Sequence, residues 1–493
     1  MEIAFIKRIA TGFFLAALIL THGIARAEEN TEDSGSDIIN LSDDDKKEDA
    51  NATKQEEKKI DFSFHGYVTL NFAARDQEKK FNKDIHYIKV GPIVQLQFEG
   101  NAYDRAHFYS ATNIELNMIN EDNPNEMNYK PFIKMIETYV DLYPTKWFTI
   151  RAGHQLITWG EIEGMEAPTD IVCPWDYSIK TTVFEEYKLG VTALALNFFF
   201  FKQKFEFVWM PVFQPAIIPR EEIDRKSNDF RRYIAEIPIV NVIRPSKGIG
   251  NTEFAARISG SIDTNFRYAA AILYGFDDLP DTKLTYDVIT DSSLPGLYYA
   301  NLTKVRADLF YNRILIPTLD FAYDVMDLFS LKASTAFYKT KDFAGKRDEL
   351  KNSTVKYLFG AESTNIGFDI YFALYVGQMW VINYTPVHTG GWYETTYNIV
   401  SNRPMLDGFD QEYKYKWLLS NILQRNFLAN SALEVSLRYA LSIDPKFKNV
   451  DYTINCNIMY KFTNGVSTTI GFIFADKIGV IQNIGILEIK YSF

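Results

Sequence analysis

Arg151, Gln155, Glu137, Tyr139 and Asp141 are the residues whose types and spacing suggest chemistry. Thr149, Arg151, Gly153 and Gln155 alternate with Phe148, Ile150 and Ala152, while Glu137, Tyr139 and Asp141 share the polar face of the preceding segment. If the two segments form a hairpin turning at Pro144 to Lys146, Tyr139 lies across from Arg151. Glu137 and Asp141 then become its diagonal neighbours, close enough for long side chains to meet. This predicts an Arg151 cluster with both carboxylates. Gly153 leaves room for a further segment, the one carrying Trp159, to approach closely. The cluster has two uses. It can fix a wall onto which the 157–186 segment latches, or it can be a constriction that selects solutes by charge and size.

Other chemistries find less support. Glu161, Asp170 and Asp176 lack the spacing of a divalent-cation site, so neither metal nor cofactor is expected. After removal of an exported leader the chain keeps five histidines, at 65, 86, 107, 154 and 388. None sits in a G-x-S-x-G or H-E-x-x-H arrangement, so catalysis is not expected. An outer-membrane hydrolase, with a Ser or Asp beside a His at the loop side, is the second alternative reading. The chain carries 63 acidic and 52 basic residues, which gives nucleic-acid binding no electrostatic support.

The elements that must hold the cluster alternate with period two. Leu433, Val435, Leu437, Tyr439 and Leu441 oppose Glu434, Ser436, Arg438 and Ala440. Val90, Val94, Leu96 and Phe98 oppose Gln95, Gln97 and Glu99 in the same way. These runs reach well past the ordinary sandwich strand of about five or six residues. Runs of ~10 residues ending in aromatics are what a tilted strand needs to cross a bilayer. At the end of the chain Leu487, Ile489, Tyr491 and Phe493 fall on one face, with Glu488 and Lys490 on the other. A terminal Phe closing such a strand resembles the signal by which Gram-negative outer-membrane barrels are recognised for assembly; Phe493 and Tyr491 are its residues here.

The N-terminus supplies the compartment. Lys7 and Arg8 precede the apolar run 9–20, and Ala25-Arg26-Ala27 offers a cleavage site, the pattern of a secretory signal peptide. Residues 28–60 hold 12 acidic and 5 basic residues and no aromatic, so they are expected to remain disordered in the periplasm. Cys173 and Cys456 are expected to be free thiols. Tight turns at 143–146, 261–265, 362–366 and 462–465 alternate with long connections near 157–186, 212–250, 276–303, 342–353 and 379–412. The fold class expected is all-β: one up-and-down antiparallel transmembrane β-barrel over 61–493, with about 18 strands and 16 also compatible. Its lumen is wide enough for a water-filled or loop-plugged channel.

Residues 151–176 carry the one specific motif, with Arg151, Gly153, Gln155, Trp159, Gly160, Glu161, Asp170, Pro174 and Asp176. Here the chain resembles a family of Gram-negative outer-membrane barrels of unassigned function, which shows R-x-G-x-Q, W-G-E, D and P-x-D. The family usually has Asn before the Pro, where this sequence has Cys173. Alginate-export and porin barrels are more distantly similar and share only the R-x-G-x-Q beginning. The resemblance covers residues 130–220 and implies hydrophobic or lipid-like cargo, in some cases as the outer-membrane part of an export system.

The reading is a porin-like channel in the outer membrane of a diderm bacterium, passing a small or amphipathic solute. The expected partners are the lipid bilayer, the outer-membrane assembly machinery and that solute, with self-association left open. The first alternative is a structural or partner-binding barrel with a plugged lumen.

Overall fold

The computed structural model describes residues 60–79, 82–103, 105–118, 131–162, 167–176, 187–217, 239–290, 300–325, 328–341, 343–344, 350–363, 370–384, 414–428, 431–447, 450–462, 465–476 and 481–493. The expected signal peptide and all but the last residue of the acidic segment lie outside them, as do residues 220–232, whose mixed acidic and basic side chains are those expected of a solvated extracellular loop.

Twenty-one strands occur among the described residues. They are β1 (Ile60–Lys79), β2 (Asn82–Ala102), β3 (Ala106–Glu115), β4 (Phe132–Thr145), β5 (Phe148–Gln155), β6 (Val191–Phe200) and β7 (Gln203–Met210). Then come β8 (Ile239–Ile243), β9 (Glu253–Ser261), β10 (Phe266–Phe276), β11 (Asp281–Thr290), β12 (Ala300–Phe310), β13 (Arg313–Val325) and β14 (Phe329–Tyr338). The last are β15 (Thr354–Ser363), β16 (Ile370–Val381), β17 (Tyr415–Phe427), β18 (Leu433–Ile443), β19 (Val450–Lys461), β20 (Val466–Asp476) and β21 (Ile481–Ser492). Eighteen of them pair antiparallel, each with its neighbour along the chain, and β21 pairs back onto β1 from Tyr67↔Ser492 to Asp76↔Asn483. The sheet is therefore a closed barrel with no free edge. The remaining three, β8, β11 and β12, form a small separate sheet in which β8 runs parallel to β12. The connection expected at 276–303 accordingly runs from β10 to β13 and contains β11 and β12.

Alternation assigns the two faces. On β13 Ile314, Ile316, Thr318, Asp320 and Ala322 are buried, while Leu319, Phe321 and Tyr323 are exposed. On β20 Ile473 is buried while Ile470, Phe472 and Phe474 are exposed. Large apolar side chains that water would reject thus cover the outer surface, where acyl chains solvate them. A closed barrel with this exterior satisfies all its backbone groups inside hydrocarbon, and it is the build of an outer-membrane porin. Among the described residues no helix is long and apolar enough to cross a membrane.

Charged residues point inward. A Lys or Arg on the lipid face costs ~2–4 kcal/mol at the midplane, and water plus counter-charges in the lumen remove that cost. Lys204 and Arg257 meet Glu206 at 2.7 and 3.3 Å, Lys332 pairs with Glu362, and Arg267 pairs with Asp324. These groups lie toward the end where tight turns join β6 to β7, β9 to β10 and β13 to β14. Barrel closure is also found there: the Phe493 and Gly66 backbones exchange hydrogen bonds at 2.9 and 3.0 Å. Tyr491 and Phe493 face outward with Phe64, at ring separations of 6.2–6.3 Å.

Candidate functional site

Arg151 lies opposite Asp141 on the β4–β5 pair, and Tyr139 lies opposite Gly153. The expected register put Tyr139 across from Arg151, two residues away from the one observed. The reason is the turn, where the register shifts between Leu142 and Thr145 and the last pair is Thr145↔Phe148. Direct opposition gives Arg151 a two-pronged contact with Asp141, Nε to Oδ1 at 2.7 Å and Nη2 to Oδ2 at 2.8 Å. The Tyr139 ring lies under the guanidinium at 4.0 Å. His107 extends the chain of polar contacts, with Nδ1 3.6 Å from Asp141 and Nε2 3.0 Å from Glu99.

Glu137 does not join this cluster as an ion pair. Its Oε1 accepts the Leu156 N–H at 2.8 Å, where β5 ends and the long connection begins. Gln155 is 1% exposed, with Nε2 donating to the Ala193 carbonyl at 3.0 Å, so it lies beneath the connection and does not line open lumen. Gly153 serves another approach than the one expected. At φ +142° a Cβ there would sit 2.2 Å from the Thr138 carbonyl oxygen and 2.7 Å from Tyr139 Cα, so the close neighbour is β4 and not the Trp159 segment.

The described stretches of the 156–190 connection, 156–162, 167–176 and 187–190, fold into the barrel, and together they are the strap. It leaves from β5, yet Ile162 packs in one buried cluster with Leu358, Tyr375, Met379 and Leu418 of β15, β16 and β17. Counting through β6, β7, β9, β10, β13, β14 and β15, β16 is the eighth neighbour of β5 in a ring of eighteen. Ile162 therefore touches the far wall. Trp175 and Tyr187 pack on Ala73, Ile473, Ile484 and Ile486 of β1, β20 and β21. A third cluster places Trp159, Val172 and Cys173 against Val191, Met210, Leu273, Ile314 and Ile316. The inner wall is apolar in these three sectors because the strap, and not water, covers it.

Polar contacts fix the strap between these anchors. Asp170 and Lys188 form an ion pair, and Asp170 also accepts the Trp159 N–H at 3.2 Å. Burial raises the Asp170 carboxyl above its ordinary range, with Lys188 acting against it. Glu161 reaches Arg267 at 3.5 Å, and Tyr338 donates to the Pro168 carbonyl at 3.0 Å. Gly160 adopts φ +114°, and a Cβ there would lie 2.6 Å from Thr169 Oγ1. Pro174 and Asp176 run beside 187–189, with Leu189 N–H donating to Pro174 O at 2.9 Å and Asp176 N–H to Tyr187 O at 2.6 Å. Cys173 is free and buried, and its Sγ accepts the Ile157 N–H at 3.1 Å. Burial pushes its thiol up to about 11. Cys456, also free, sits on the outward face opposite Phe472.

Sequence reasoning missed the far-wall contacts and a cavity beside the third cluster. A space of about 150 Å³ lies between the strap and the loop-end wall, bordered by Cys173, Met210, Glu253, Leu273, Ile316 and Asp278. A usable signal was the failure of alternation at Val191–Leu196 and Arg313–Ile316, where apolar residues occupy both faces.

No family model matches the chain, and no curated protein matches it. The motif resemblance at residues 151–176 therefore stands at the level of a porin-like outer-membrane barrel. Among solved structures the chain is similar to OccAB4 of Acinetobacter baumannii, with 10% identity and a TM-score of 0.49, covering 89% of this chain and 100% of that one. It is similar to OccAB1 of the same organism, with 10% identity and a TM-score of 0.49 over 90% and 99% of the two chains. It is also similar to Pseudomonas aeruginosa OpdK with vanillate, with 10% identity and a TM-score of 0.48 over 88% and 98%.

Proposed function

We propose that this barrel is a conduit for a small amphipathic or apolar solute across the outer membrane, with the 156–190 strap setting what passes. The observation that carries the reading is the strap's reach from β5 to the β15–β17 wall. An eighteen-stranded barrel leaves a water-filled lumen by itself. A segment crossing that lumen narrows it to a passage with chemistry of its own. On the loop side the strap lies on the apolar wall of Leu273, Ile314 and Ile316 with a cavity between them; on the turn side the lumen carries the Arg151–Asp141 and Arg267–Asp324 pairs. A solute with an apolar body and a polar end is matched by that sequence of surfaces. A place as the outer-membrane part of an export route belongs to the same reading, as does recognition of Phe493 and Tyr491 by the assembly machinery.

The strap's three apolar anchors and buried Asp170–Lys188 pair also favour a second reading, a plugged barrel with a structural or partner-binding role. Planar-bilayer recording separates the two. Discrete ohmic steps from the wild-type protein support the conduit. A silent wild type that conducts only when the strap is loosened supports the plug.

A further inference from the structure

Glu253 and Asp278 both face the cavity between the strap and the loop-end wall. Glu253 opens β9 and is 7% exposed; its Oε1 accepts the Phe276 N–H at 2.7 Å. Among the described residues no cation is in ion-pair contact with it. Arg313 sits nearby, but its guanidinium donates to the Thr252 and Gly250 carbonyls at 2.8 Å each. Asp278 lies beside Asp277, and its carboxyl is pushed up to about 6 by burial and by the Asp277 carboxylate, against Lys351 and Lys356. The other charged groups around the space are engaged. Asp170 pairs with Lys188, Asp277 pairs with Lys351 at 3.0 Å, and Lys356 lies 5.6 Å from the Tyr338 ring centre.

We propose that this cavity binds a small amphipathic amine, with its apolar body against Val191, Met210, Leu273, Ile314 and Ile316 and its ammonium between Glu253 and Asp278. The inference rests on the conduit reading and names the class of solute. A cavity near 150 Å³ is the size that accepts a benzene ring, and its lining has both apolar and charged sides. A carboxylate held from water without a counter-charge is costly; Glu253 has only the Phe276 N–H, and an ammonium satisfies it and the part-buried Asp278 with charge-assisted hydrogen bonds. A neutral ligand of the same shape leaves both without a counter-charge, and an anion is repelled by both.

The test titrates the full-length barrel in detergent with benzylamine, benzyl alcohol and benzoate, followed by calorimetry and by the fluorescence of Trp175, which borders the cavity. Benzylamine binds roughly tenfold or more tightly than benzyl alcohol, and benzoate binds weakest. Glu253→Gln keeps the acceptor for Phe276 N–H and Asp278→Asn keeps the shape. Each lowers the amine-to-alcohol ratio and the double variant brings it close to one, while benzyl alcohol still binds, which shows that the site is folded. Ile316→Trp fills the space and removes binding of both. Equal affinity for amine and alcohol in the wild type overturns the proposal without reference to any variant, as does unchanged amine binding in both carboxylate variants. Flux into proteoliposomes is read in parallel. Selective amine binding without flux supports the site and removes the conduit reading; flux without amine preference removes the site and leaves the conduit.

Discussion

Thr169 on the strap donates a 2.8 Å hydrogen bond from Oγ1 to Asp320 Oδ1 on β13, and Ser334 on β14 donates to the same oxygen. All three side chains are buried. Asp320 faces the lumen, so the contact joins a segment that leaves the wall at β5 to a strand five places further round the ring. A carboxylate buried this deeply is tolerated because neighbouring hydroxyls satisfy it. Removing the strap would return Asp320 to water and expose the apolar wall above it.

Lys188→Ala leaves Asp170 buried without its counter-ion. Loss of one partner from a buried pair costs about 3–5 kcal/mol, and here the strap can respond by detaching while the barrel stays closed. In a Cys456→Ser background, N-ethylmaleimide is expected to label Cys173 in the Lys188→Ala protein and not in its parent, where burial holds the thiol up at about 11. Mass spectrometry reads the outcome. Equal labelling of the two proteins would show that Lys188 does not hold the strap.

Arg151→Ala takes two hydrogen bonds from Asp141, which is 5% exposed. A hydrogen bond to a charged group contributes about 1.5–3 kcal/mol; Arg151 is partly exposed and Asp141 keeps His107 and Tyr143 beside it, so a net stability loss of about 2 kcal/mol is expected. The lumen also gains net negative charge. The reversal potential under a salt gradient should shift toward cation selectivity, whereas Arg151→Lys should hold it near the wild-type value. No shift with Ala would assign the pair a structural role alone.

Asp278 sets a pH dependence with a definite sign. Its carboxyl is raised to about 6 in the fold, above its ordinary 3.8. The protonated form is therefore favoured by folding, and its contribution is complete below pH ~4 and lost as pH rises through 6. Asp278→Asn should match the wild type in thermal stability at pH 4 and exceed it at pH 8. A variant that loses stability at pH 8 would mean the carboxylate has a cation partner there.

Phe493→Ala removes the ring that covers Gly66, where a Cβ would lie 2.8 Å from it. It also removes the contact with Phe64 at 6.2 Å. Little loss of stability is expected, because the backbone bonds between the two residues remain. The yield of folded barrel in the outer membrane should fall, read by heat-modifiable gel mobility. Unchanged yield would remove Phe493 from any assembly signal.

Faces were legible in the sequence and the lumen's contents were not. Leu487, Ile489 and Tyr491 point outward and Glu488 and Lys490 inward, as period two requires, because lipid tolerates no charged row. Closure followed from strand number and from the alternation of tight and long connections. The Arg151 register did not follow, because a turn that shifts pairing between Leu142 and Thr145 leaves no mark in the alternation. Nor did the seat of Ile162, since a lone apolar residue in a loop does not say which wall it meets. The small sheet of β8, β11 and β12 did not follow either: β8 and β11 fall within segments expected to be long connections, and nothing in a connection's residues says that it pairs with another.

Single-channel conductance with the strap seated and released tests the central claim most directly. Ile162→Asp puts a charge into the β15–β17 cluster and, with Lys188→Ala, frees the strap at two anchors. A several-fold larger conductance is expected for this double variant than for the wild type, with the barrel still heat-modifiable. Equal conductance in a folded barrel would contradict it, because the segment would then not lie across the lumen.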